Sequence, residues 1–167
     1  MELLVLRHAI AFPRDASRWP DDSQRPLTAE GVRRARRAAA GLKRLGKAPG
    51  VVMTSPLVRA RDTAKIFAQA ARWPEAVECD ALVPDGEAEE VLAALRGRSG
   101  KTGCAAVVGH QPHLGRLIAL CLRGGLQPEA MELKKSAVAC LQFDGPPHAG
   151  RAVLEWLLAP RILRQLE

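Results

Sequence analysis

Tyrosine is absent from this chain, and phenylalanine with tryptophan brings the aromatic content to only 4%. A core cannot then rest on stacked rings and has to be built from Leu, Val and Ala. Trp19, Trp73 and Trp156 are far apart in sequence, as are the three phenylalanines, so no row of rings offers a platform for stacked bases. Cysteine is scarce as well. Cys79, Cys104, Cys121 and Cys140 include no pair spaced as a metal knuckle or a redox couple. Three of them lie in apolar stretches and read as small buried residues of a reducing compartment. No apolar run approaches the length of a membrane span. The opening stretch Met1–Leu6 runs into Arg7 too soon to be the core of a secretory leader. These absences predict a cytoplasmic protein with no membrane partner.

What the chain has is an aliphatic, basic composition. Its 167 residues fit one domain, 1–167, around one core. The 25 Lys and Arg against 18 Asp and Glu give a net charge of +7, mostly through arginine. Such an excess favours an anionic partner, and arginine forks onto phosphate oxygens better than lysine does. Leu3–Leu6 reads as a buried strand. Thr28 reads as a helix N-cap, with Glu30 in the first turn and Val32, Ala35, Ala39, Leu42 and Leu45 at helical spacing up to Gly46. Strands are expected at 51–53, 77–79 and 105–108, and helices at 57–71, 87–95 and 113–122. A closing hairpin, 137–143 with 152–158, turns at Gly145-Pro146-Pro147. Strands alternating with helices predict a three-layer α/β/α sandwich, with a mostly parallel sheet and an antiparallel edge strand.

In such sheets ligands bind beyond the carboxyl ends of the strands. The first strand is followed by Arg7-His8-Ala9, the second by Thr54-Ser55-Pro56-Leu57-Val58-Arg59, and the fourth by Gly109-His110-Gln111-Pro112. Two histidines and two arginines are thereby expected at one sheet edge. A neutral imidazole is a competent nucleophile at neutral pH. Guanidiniums can neutralise the oxygens of a phosphoryl group in transfer, and a protonated second histidine can add charge and a hydrogen bond. No carboxylate cluster is placed to hold a divalent metal beside them. The expectation is no metal and no cofactor.

These segments resemble a known family. Leu4-Val5-Leu6-Arg7-His8, Arg25-Pro26-Leu27-Thr28, Ser55-Pro56-Leu57-Val58-Arg59-Ala60 with Thr63, and Val108-Gly109-His110-Gln111-Pro112 are similar, in order, to motifs of the histidine phosphatase superfamily (phosphoglycerate mutase-like). The likeness spans residues 2 to about 160 and is greatest to its SixA-type phosphohistidine phosphatase branch. It implies that His8 is the nucleophile, that Arg7, Arg25 and Arg59 bind phosphate, and that His110 is the second active-site histidine. Two departures stand out. Ala9 replaces the family's usual glycine. The region where larger members carry an acidic proton donor reads Leu82-Val83-Pro84-Asp85-Gly86-Glu87, leaving Asp85 and Glu87 as the candidates.

Plainer readings stand beside these. Taken singly, His8 could be a structural histidine and Arg59 a solvated helix residue; it is their coupling with Arg7 and His110 that points to catalysis. Arg25 could equally be an ordinary loop arginine. His110 and His113 have metal-ligand spacing but no third ligand in view, and His113 and His148 are expected at the surface. Arg33-Arg34 and Arg36-Arg37 lie opposite the apolar stripe of their helix, as a solvated face would. The leading expectation is an enzyme that removes a phosphoryl group from protein phosphohistidine, releasing inorganic phosphate. A phosphatase for small phosphoesters or polyphosphate-like anions is the alternative. A basic nucleic-acid-binding protein on an inactive phosphatase fold is the reading from another class.

Overall fold

The computed structural model describes residues 1–98, 103–125 and 131–167. Strand β1, Glu2–Arg7, is buried along its centre on both faces. Its period-2 alternation sends Leu4 and Leu6 into one apolar cluster and Leu3 and Val5 into another. The first cluster packs the sheet against α1 (Ala29–Arg44), α2 (Val58–Ala71) and the short α5 (Pro160–Gln165). The second packs its other face against α3 (Ala88–Arg98) and α4 (His113–Arg123). Helices therefore cover both faces, and the architecture is the three-layer α/β/α sandwich that the alternating pattern predicted.

Strands β2 (Val51–Thr54), β3 (Val77–Glu78), β4 (Cys104–Gly109), β5 (Val138–Phe143) and β6 (Ala152–Leu158) complete a six-stranded sheet of order β3-β2-β4-β1-β5-β6. The β3–β2, β2–β4 and β4–β1 pairings are parallel. The closing hairpin supplies the antiparallel edge, with β5 pairing against β1 and β6 against β5. Because β1 sits beside β4, and β4 beside β2, the segments that follow these three strands emerge together. His8 N donates to Gly109 O at 3.0 Å and Ser55 N to Val108 O at 2.9 Å, which carries the register past the strand ends.

Thr28 caps α1 as expected, its side chain accepting from Gly31 N at 2.9 Å. Position 31 calls for glycine because a Cβ there would lie 2.0 Å from Ile10 O. The first turn of α1 is thus pressed against the backbone just beyond His8. No helix among the described residues is long and apolar enough to cross a membrane.

Candidate active site

His8 stands at the end of β1, only 6% exposed. Its Nδ1 lies 2.7 Å from Ala9 O, and since a carbonyl can only accept, Nδ1 carries the proton and Nε2 the lone pair. Burial holds the His8 pKa down at about 3; the hydrogen bond to Ala9 opposes this, while Arg59, Arg7 and Lys135 reinforce it. The ring is therefore neutral at pH 7. His110, from the end of β4, faces it with ring centroids 5.0 Å apart. His110 Nε2 is 2.8 Å from Ser55 Oγ at the end of β2. Burial first, then His8 and Arg59, lower its pKa to about 2. The His110 ring is therefore neutral at pH 7 in this structure.

Two guanidiniums flank the rings. Arg7 donates from Nη1 to Leu133 O at 2.6 Å. Arg59, 3% exposed on the first turn of α2, donates from Nη1 to Asp22 O at 2.9 Å and pairs through Nη2 with the Asp22 carboxylate at 3.2 Å. Both have pKa values lowered chiefly by burial, so each charge is held where it is poorly solvated. Arg7 Nε, Arg59 Nε and His110 Nδ1 are buried without any hydrogen-bond partner. Buried polar atoms without partners are costly and need an explanation. An anion accepting hydrogen bonds is the kind of partner such donors call for.

The remaining candidates fall into two groups. Arg25 lies beside this set, but its donors are engaged: Nε with Asp22 Oδ1 at 2.7 Å and Nη1 with Phe12 O at 2.7 Å. Asp85 and Glu87 are exposed in the turn before α3, and neither bonds to His8, His110, Arg7 or Arg59. Ala9 needs no glycine here: it is absent from the residues with positive φ, and its methyl group is fully buried against the α1–α2 face of the sheet. His113 corrects an expectation. It is fully buried, not at the surface, because the first turn of α4 faces the sheet, and burial lowers its pKa to about 4. His148 is exposed as expected.

Sequence reasoning missed three contributors. Asp22 joins Arg59 and Arg25, and its bond to Arg25 holds its carboxyl pKa at about 2. Ser55 supports His110. Thr63 stood in a quoted motif without a role; its Oγ1 accepts from Ala9 N at 2.9 Å and donates to Arg59 O at 2.7 Å, tying the β1 and α2 parts of the site together. Among the described residues, the trio of metal-ligand type with atoms close together is Glu2, Cys140 and Glu155. It lies around the start of β1, where Glu2 and Glu155 already hold the Lys47 ammonium.

A neutral imidazole with a fixed tautomer is thus buried beside two arginines at the carboxyl edge of this sheet. The chain belongs to the histidine phosphatase superfamily, with a SixA-type fold. The model of the histidine phosphatase superfamily (branch 1) matches residues 3–83. An uncharacterized protein of Picosynechococcus sp. is 36% identical over 143 residues, covering 85% of each chain. The phosphohistidine phosphatase SixA of Escherichia coli is 28% identical over 162 residues, 96% of this chain and 94% of that one. A solved structure of the protein histidine phosphatase SixA complexed with tungstate superposes with a TM-score of 0.84 at 27% identity, covering 98% of this chain and 99% of that one.

Proposed function

We propose that this phosphatase hydrolyses phosphohistidine on proteins, through a covalent phospho-His8 intermediate and without a metal. The observation that carries this reading is a phosphate cradle of Arg7, His8, Arg59 and His110 to which, among the described residues, no carboxylate able to serve as a proton donor is bonded. Among the described residues Asp22 is the carboxylate paired with Arg59, and a pKa of about 2 leaves it ionised and unable to donate at neutral pH. Expelling an alkoxide from a phosphoester gains about 10²- to 10⁴-fold from such a donor. Phosphohistidine expels an imidazole whose nitrogen titrates near pH 6.5, roughly, and needs less help.

In the first step His8 Nε2 attacks phosphorus and forms a P–N bond. The P–N bond to the substrate imidazole breaks, and that ring leaves with the electron pair and takes up a proton from solvent. In the second step water attacks phospho-His8, releasing inorganic phosphate and restoring the neutral ring. Arg7 and Arg59 hold the phosphoryl oxygens throughout. Proton uptake by His110 becomes favourable once the anion has entered.

The test is a comparison of phosphohistidine with simple alkyl phosphates. Phosphohistidine is expected to be turned over far faster, in the presence of a chelator as in its absence. His8→Ala is expected to abolish turnover with the fold intact, and a trapped phosphoryl group should be acid-labile and sit on His8. Asp85→Asn and Glu87→Gln are each expected to reduce the rate only modestly. Equal rates on alkyl phosphates, lost in one of these two variants, would replace this reading with the small-ester one.

A further inference from the structure

Beside the phosphate cradle, a cavity of about 590 Å³ counts Arg7 among its lining residues. Its walls are basic: Lys134 and Lys135 come from the loop before β5, and Arg161 and Arg164 from α5, against Glu132 as the one carboxylate among the described lining residues. Arg34 also reaches it from α1 but is already paired with Glu30. Among the described residues no carboxylate lies within ion-pair range of Lys134, Lys135, Arg161 or Arg164. The lysine loop is fixed beside the nucleophile. Ser136 adopts a left-handed backbone, φ 64°, and its N–H donates to Arg7 O at 3.1 Å and to His8 O at 3.3 Å. A non-glycine residue held at positive φ is a mild strain that surrounding contacts must impose. What the strain secures is the position of two lysines at the rim of the active site.

We infer that this cavity receives acidic side chains flanking the phosphohistidine on the substrate protein. The inference rests on the phosphohistidine reading and names the chemistry of the surface that carries the residue. Lys134, Lys135 and Arg161 are exposed, and the cations come from separate elements. Exposed, long, mobile cations in an open cavity attract a spread of carboxylates and steer encounter. A second phosphate group would call for fixed, buried donors, and of this lining only Arg7 has the buried donor described above. The cavity adjoins the cradle, so residues close in sequence or space to the phosphohistidine would fall into it.

The experiment compares three substrates on the full chain: free phosphohistidine, a phosphohistidine peptide with neutral flanks, and one flanked by Asp and Glu. Wild-type protein should favour the acidic peptide through a lower KM, with a kcat/KM that falls steeply with added salt. Arg161→Glu/Arg164→Glu should lower kcat/KM on the acidic peptide roughly tenfold and flatten the salt dependence. Free phosphohistidine should be hydrolysed as before. Lys134→Glu, on another element, should repeat the effect and guards against a folding defect in α5. Equal kcat/KM on both peptides, or reversed-charge variants that behave as wild type, would overturn the inference while leaving the phosphohistidine reading intact. Competition by an alkyl bisphosphate that the variants abolish would assign the cavity to a second phosphate group and would also overturn it. Failure of wild type to cleave any of the three would sink the reading of function itself.

Discussion

The site works through atoms whose positions are set by residues that never touch substrate. Thr63 is the clearest of these, because one hydroxyl accepts from Ala9 N and donates to Arg59 O. Replacing it by Val keeps the volume but leaves the Ala9 N–H buried without this partner, at a cost of about 1–3 kcal/mol, while Arg59 O, inside α2, keeps its helical bond. The offset between His8 and Arg59 should then relax. Thr63→Val is expected to lower kcat about tenfold or more with little change in KM, since misplacement by a fraction of an ångström is felt chiefly in the transition state. Thr63→Ser should restore most of the rate. A KM effect alone, or no rescue by Ser, would show that Thr63 merely supports the fold. Ser55 has a similar relation to His110, holding Nε2 and leaving Nδ1 without a protein partner.

Among the elements, α1 shows how local signals and a tertiary contact combine. Thr28 caps it, and Lys43 and Arg44 close it where the helix dipole favours positive charge. Thr28→Ala should cost about 1 kcal/mol, read as a lower urea midpoint with unchanged m-value. Gly31→Ala should cost more, because the new Cβ meets the Ile10 carbonyl at 2.0 Å and the helix has to move. It should also reduce activity, since Ile10 follows the His8-Ala9 turn, whereas Thr28→Ala should not. The arginines at 33, 34, 36 and 37 are exposed, and Arg33 and Arg34 pair with Glu30 while Arg37 pairs with Glu167. They form the solvated face that their spacing suggested.

At the scale of the whole molecule, the buried histidines govern the response to acid. His8, His110 and His113 have folded pKa values of about 3, 2 and 4, each below the ordinary value of 6.5, with burial as the first cause. The unfolded chain therefore binds protons near pH 6.5 that the folded chain refuses until lower pH. Unfolding takes up protons across this window, so stability is highest above it and falls as pH drops. The slope reaches at most about 1.4 kcal/mol per pH unit for each histidine. Urea midpoints should decline from pH 7 to pH 4.5, and His113→Gln should give a shallower decline even if it is less stable at pH 7. A flat profile would mean that the rings are charged in the folded state. Phosphate should protect most at the acidic end, where His8 and His110 gain protons against a bound anion.

The order of strands and helices, the cap at Thr28 and the edge hairpin were legible because each rests on local periodicity and turn chemistry. So were His8, Arg7, Arg59 and His110, since each follows a strand, or opens the helix after one, at a place where strand ends collect ligands. Other features had no such local mark. The helix Pro160–Gln165 is six residues long and buries only Leu163, too little for a period to register. Asp22 lies in a polar loop, and nothing near it in sequence says that it will meet Arg59, 37 positions on. His113 looked solvated until α4 was seen to turn its first residues toward the sheet. The basic cavity joins residues from four segments, Arg7, Arg34, the Lys134–Lys135 loop and α5. Sequence determined which side chains gather at the carboxyl edge of the sheet, because residue type and strand register are properties of the chain. Tertiary structure alone decided their protonation and their partners, because burial and distance are set by how separate segments pack.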